Sequence, residues 1–134
     1  MANTTFTGPV RSENGFEQVT KNATTGAFTT SATYDATIIG GVQSLSGAGA
    51  VDLTNLITEL TTTGADALTL ADGTTSGQVK IVNMIVDGGN GTLTPTTFAN
   101  GTNITFDAVA ESATLVWNST IGWVATSVQG ATIA

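Results

Sequence analysis

From residue 37 onward, short apolar runs alternate with stretches of Thr, Ser and Gly. Strict alternation over a few residues marks a half-buried strand, and Gly, Asn and Asp clusters mark the turns between strands. Residues 67–70 form a short strand ending at Asp72-Gly73. Residues 78–86 are apolar at nearly every position except Lys80 and Asn83, a pattern expected of a strand buried on both faces. The run Asp87-Gly88-Gly89-Asn90-Gly91 closes it with a turn. Thr92-Leu93-Thr94 leads into Pro95, which predicts an edge strand. Ile104-Thr105-Phe106 is another strand, and 113–117 with 123–128 predict a hairpin whose loop is flanked by Trp117 and Trp123. Residues 56–60 also alternate, but apolar positions 53, 56, 57 and 60 fit a helical face as well. The Thr61-Thr62-Thr63-Gly64 run disfavours a long helix, so the reading is a strand, with a single turn over 55–60 as the alternative.

Residues 1–36 carry only scattered large apolar side chains. Runs at 16–20 and 27–33 read as short strands around a loop at 21–26. The segment is expected to be an extended N-terminal arm able to form a hairpin, or alternatively a source of edge strands for the main sheet. Residues 37–134 are expected to form the β-domain. Strands recur there about every 8–12 residues, the spacing of sandwiches and barrels. The fold class expected is all-β, an antiparallel β-sandwich or barrel. Leu70-Ala71-Asp72-Gly73, Val86-Asp87-Gly88 and Phe106-Asp107 each end an apolar strand with Asp, which suits turn chemistry rather than a sequence repeat.

Composition narrows the function. The 134 residues include no His, no Cys and three bases, Arg11, Lys21 and Lys80. The usual proton shuttle, the strongest nucleophile and the soft metal ligands are therefore missing, and no enzyme activity, cofactor or metal is expected. A net charge of −7 disfavours nucleic acid and anionic membranes as partners, since both need cations to meet phosphate. The first residues have neither a basic nor an apolar leader region, so synthesis in a cytoplasm is expected. The Asn-x-Thr sequons at Asn3, Asn22, Asn90, Asn100, Asn103 and Asn118 follow from a Thr-rich composition. Large side chains are few, with five Phe, two Trp and one Tyr, which predicts a thin core supplemented by contacts with copies or partners.

Polar clusters give no reaction centre. Asp107 with Glu111 and Glu13 with Glu17 are near in sequence, but nothing marks either pair as other than solvated turn acids. Asp87 to Gly91 has oxygen donors without the alternating acids of a calcium loop, and reads as a hairpin turn. Gly47 to Ala50 lacks the Lys-Ser/Thr of a phosphate loop. Lys80, without a Ser nucleophile nearby, reads as an edge or interface cation. Arg11 to Phe16 combines a planar cation, an acid and an aromatic, a mixture suited to a docking contact.

Several of these segments resemble known proteins. Thr5-Phe6-Thr7-Gly8-Pro9-Val10-Arg11-Ser12-Glu13-Asn14-Gly15-Phe16 resembles the start of small virion structural proteins of tailed bacteriophages, notably those of marine and cyanobacterial hosts. The stretch 63–80, Asp87-Gly88-Gly89 with Thr92-Leu93-Thr94-Pro95, and 104–109 with Gly122-Trp123 are similar to segments of the same proteins. The resemblance implies a head decoration (cement) protein on the outer capsid surface. Its partners would be the major capsid protein and copies of itself in a homotrimer. Phe6, Val10, Arg11 and Phe16 would dock on the capsid. The apolar strand would supply the oligomer seam, with Val79, Ile81 and Ile85 as its candidates. The alternative is a fibre or knob module that binds host surface glycans through Trp117, Trp123 or Tyr34.

Overall fold

The computed structural model describes the backbone of residues 16–34 and 40–134, and burial over 22–27 and 40–134. The chain divides into two compact units, Met1–Gly40 and Gly41–Ala134. In the first, β1 (Phe16–Lys21) and β2 (Phe28–Tyr34) pair antiparallel, with Phe16 opposite Tyr34 and a bulge at Gln18/Val19. The Asn22 side chain accepts the main-chain N–H groups of Thr24 and Thr25 in the loop between them. The expected hairpin is present. Phe6, Val10 and Arg11 lie outside the described residues, and of Phe16 only the backbone is described.

The second unit is all-β. Its strands are β3 (Val42–Ser46), β4 (Gly49–Val51), β5 (Ile57–Thr61), β6 (Asp66–Leu70), β7 (Val79–Val86), β8 (Gly91–Pro95), β9 (Ile104–Phe106), β10 (Ser112–Asn118), β11 (Gly122–Gln129) and β12 (Thr132–Ile133). They form two open five-stranded sheets, ordered β11-β10-β7-β5-β3 and β12-β9-β8-β6-β4. From β3 to β8 the chain changes sheet at every strand, so β3, β5 and β7 run parallel in one sheet and β4, β6 and β8 run parallel in the other. Antiparallel β9 to β12 complete both sheets. The architecture is a sandwich with mixed sheets, neither purely antiparallel nor a closed barrel. The strand spacing that predicted the sandwich is blind to direction. A chain that crosses between layers and one that turns back within a layer leave the same interval between turns.

Inward residues of both sheets make one core. Leu60, Val82, Met84, Ala113, Leu115 and Trp123 come from the first sheet, and Val51, Leu68, Leu70, Leu93, Ile104 and Phe106 from the second. Two local expectations change. β8 is a central strand despite Pro95. Its pairing with β9 stops at Leu93, so Pro95 meets no neighbour on that side. Thr96 N–H continues the other side to the Leu70 carbonyl at 2.8 Å. β7 buries one face only: Lys80, Val82 and Met84 point inward, while Val79 and Ile85 are exposed.

Candidate functional site

The strand β7 sits in the middle of its sheet, so its two faces meet different surroundings. Period-two alternation sends Val79, Ile81 and Ile85 to the outer face. Neighbouring strands extend this apolar surface. Val42 stands opposite Ile57, and Ile57 opposite Ile81, across the parallel ladders. Val79 stands opposite Val116, and Val116 opposite Val124. Val42 is 49% exposed, Val79 38% and Ile85 45%. Adjacent strands lie about 4.8 Å apart, so Val42, Ile57 and Ile81 form one row of β-branched side chains and Val79, Val116 and Val124 the next. Glu59 and Asn83, in register with each other, form a polar row that separates Ile81 from Ile85 on this face. The structure thus places all three predicted seam residues on one face. Val42, Ile57 and Val116 join them there. The signal for those three was the same alternation, overlooked in strands whose partners the sequence does not reveal.

The inner face of β7 holds a polar cluster that the sequence reading missed. Lys80 is 1% exposed and neither an edge nor an interface cation. Its Nζ donates to the Asn55 main-chain carbonyl at 2.8 Å and lies 3.5 Å from Asp52 Oδ1. Asp52 Oδ1 also accepts the N–H groups of Thr54 and Asn55, and its Oδ2 accepts the Asn55 side-chain amide at 2.6 Å. Gln43 extends the cluster: its Oε1 accepts the Asp52 N–H and the buried Thr58 hydroxyl. Burial holds the Lys80 amine below the usual lysine range, and Asp52 offsets this in part. Burial disfavours the Asp52 carboxylate. Hydrogen bonds from Asn55 and the Lys80 charge outweigh it and keep the carboxyl below its usual range. The available signal was Asp52-Leu53-Thr54-Asn55 itself, an Asx turn in sequence.

The other sequence candidates are structural. Trp117 and Trp123 are 8% and 0% exposed, so neither offers a stacking platform, and Trp123 Nε1 donates to the Ala71 carbonyl at 2.9 Å. Tyr34 lies in a strand whose side chains are outside the described set. Glu111 Oε2 accepts the Asp107 N–H at 2.7 Å, closing a turn. Asp87 accepts from Gly89 in its own turn as expected, whereas Asp72 bonds the Thr97 hydroxyl across a longer span. Among the described residues, no buried side-chain polar atom lacks a partner and no cluster of three acids is placed to hold a metal. No protein-family model matches the chain, and no curated protein is similar enough to count as a relative.

Proposed function

We propose that this chain is a virion structural protein that decorates the outer head surface of a tailed bacteriophage as a homotrimer, with the N-terminal segment as its capsid contact. The observation that carries the reading is the outward apolar face of β3, β5, β7 and β10, with Val42, Val79 and Ile85 exposed on it. A face of this kind fits a protein seam better than solvent. Heterologous contacts between such faces and their neighbours close into a ring when the rotation allows three copies. About 800 Å² buried per copy is a normal specific interface. Repeated at many seams, it would stiffen a shell without any chemistry. The resemblance of residues 5–16 and of the turn segments to virion proteins is what points to a capsid as the partner. The core positions of Trp117 and Trp123 weigh against the glycan-binding alternative.

Co-sedimentation with undecorated phage heads tests the reading. The full chain is expected to pellet with heads, and a chain lacking residues 1–20 is expected to bind less while keeping its oligomer mass in light scattering. A full chain that stays in the supernatant, or one that is monomeric at micromolar concentration, overturns it.

A further inference from the structure

We propose that Lys80, Asp52 and Asn55 form a self-modification site. In it the Lys80 amine displaces the amide nitrogen of Asn55, leaving an intramolecular isopeptide bond between β7 and the segment joining β4 to β5. The inference does not depend on the virion reading.

Three groups of the right chemistry meet there. The nucleophile is an amine on a side chain 1% exposed, on a strand whose other inward residues are Val82 and Met84. The carbon under attack belongs to a primary amide, Asn55, and the amine already contacts that residue through its main-chain oxygen at 2.8 Å. One carboxylate touches both: Asp52 lies 3.5 Å from Nζ through Oδ1 and 2.6 Å from Asn55 Nδ2 through Oδ2. The amide is also fixed in place. A Cβ on Gly41 would collide with Asn55 Oδ1, so the glycine leaves the space the amide oxygen fills.

The environments sort the roles. Desolvation favours the neutral, nucleophilic form of Lys80, whereas hydrogen bonds keep Asp52 ionised and able to take a proton. Asp52 is thereby a poor electrophile and a weak base that holds a proton only in passing, so its part is to relay the proton between the two nitrogens it touches, and the uncharged amide is left as the acyl donor. In the step, the Nζ lone pair forms a bond to Asn55 Cγ and a proton passes from Nζ to Asp52. Asp52 delivers that proton to Nδ2 as the Cγ–Nδ2 bond breaks, and ammonia leaves. No oxidant, reductant or metal takes part. A buried ion pair alone adds little stability over apolar residues of similar volume. A covalent tie between β7 and the start of its neighbour β5 would give a lysine in a core row a role that an ion pair does not.

Intact-mass spectrometry of the purified full chain, unfolded before injection, reads the outcome directly. The wild type is expected to be lighter than its sequence mass by one ammonia, and tandem spectra of a digest should contain a branched peptide joining Lys80 to Asn55. K80R and N55A should each restore the full mass. A cyclised Asn-Gly bond loses the same mass, but it survives K80R and yields no branched peptide. A wild-type mass equal to the sequence mass, or a mass loss that persists in K80R, overturns the proposal without reference to how well any variant folds.

Discussion

Trp117 and Trp123 stand directly opposite each other across the β10–β11 ladder, with ring centroids 5.4 Å apart and planes inclined at 60°. A tilted pair of this kind adds about 0.5–1.5 kcal/mol beyond the area it buries. Trp123 also ties the hairpin to the segment after β6 through its bond to Ala71. W123F keeps a ring but removes the indole donor and leaves a void and an unpaired carbonyl. The expected cost is about 2–4 kcal/mol, from cavity and lost hydrogen bond together. A urea titration should show a lower midpoint at an unchanged slope.

Gly73 faces the same pair from outside. A Cβ there would overlap the Trp117 ring, and the ring is held by the core on its other side. G73A should cost about 1–3 kcal/mol by overpacking. G64A is the control: a Cβ at Gly64 meets nothing within 4 Å. Its midpoint should stay level or rise slightly, because Ala narrows the unfolded ensemble. Equal losses in both variants would place the effect in the backbone rather than in the Trp117 contact.

Asp52 gives a pH dependence with a definite sign. Its carboxyl titrates below the ordinary value of 3.8 in the folded chain. Above 3.8 both folded and unfolded chains carry the charge, and the stabilisation is complete. As pH falls, the unfolded chain takes up its proton first, and stability is lost until pH has passed through the folded value. Urea midpoints measured between about pH 5 and pH 2 should fall less steeply in K80R/D52N than in K80R, two chains that both lack a Lys80–Asn55 bond. Parallel curves would show that Asp52 is not held ionised by its Asn55 contacts.

The alternation of apolar residues made β5, β6 and β8 to β11 legible, because one face of each strand enters the core and the other does not, whereas β7 showed only as a near-continuous apolar run. Turn chemistry placed Asp87-Gly88-Gly89 and the Asn118 loop for the same local reason. Short β4 escaped because a run of Gly and Ala carries no alternation to read. Two-residue β12 escaped for want of length. Strand direction and neighbour order depend on contacts such as Leu60 beside Met84, far apart in sequence, and no local pattern encodes them. The outer patch was half visible: Val79, Ile81 and Ile85 lie on one strand, while Val42, Ile57 and Val116 join only through the ladders. The Lys80 cluster was hidden because a charge in an apolar strand normally signals exposure. Its partners come from a turn some 25 residues earlier.

The two faces of β7 allow a paired test of the outer patch. Ile81 points outward between Ile57 and Thr114, and Val82 points inward at 0% exposure. A carboxylate at position 81 stays hydrated in a lone subunit but would be desolvated against a second apolar face, where it has no partner. I81D should therefore keep a cooperative unfolding transition and lower the oligomer mass seen in light scattering. V82D buries the same charge inside the sandwich and should abolish the transition itself, at a cost of several kcal/mol. If I81D keeps the full assembly mass, the patch is not the seam between copies. The self-association would then have to use another surface, even though the fold remains as described.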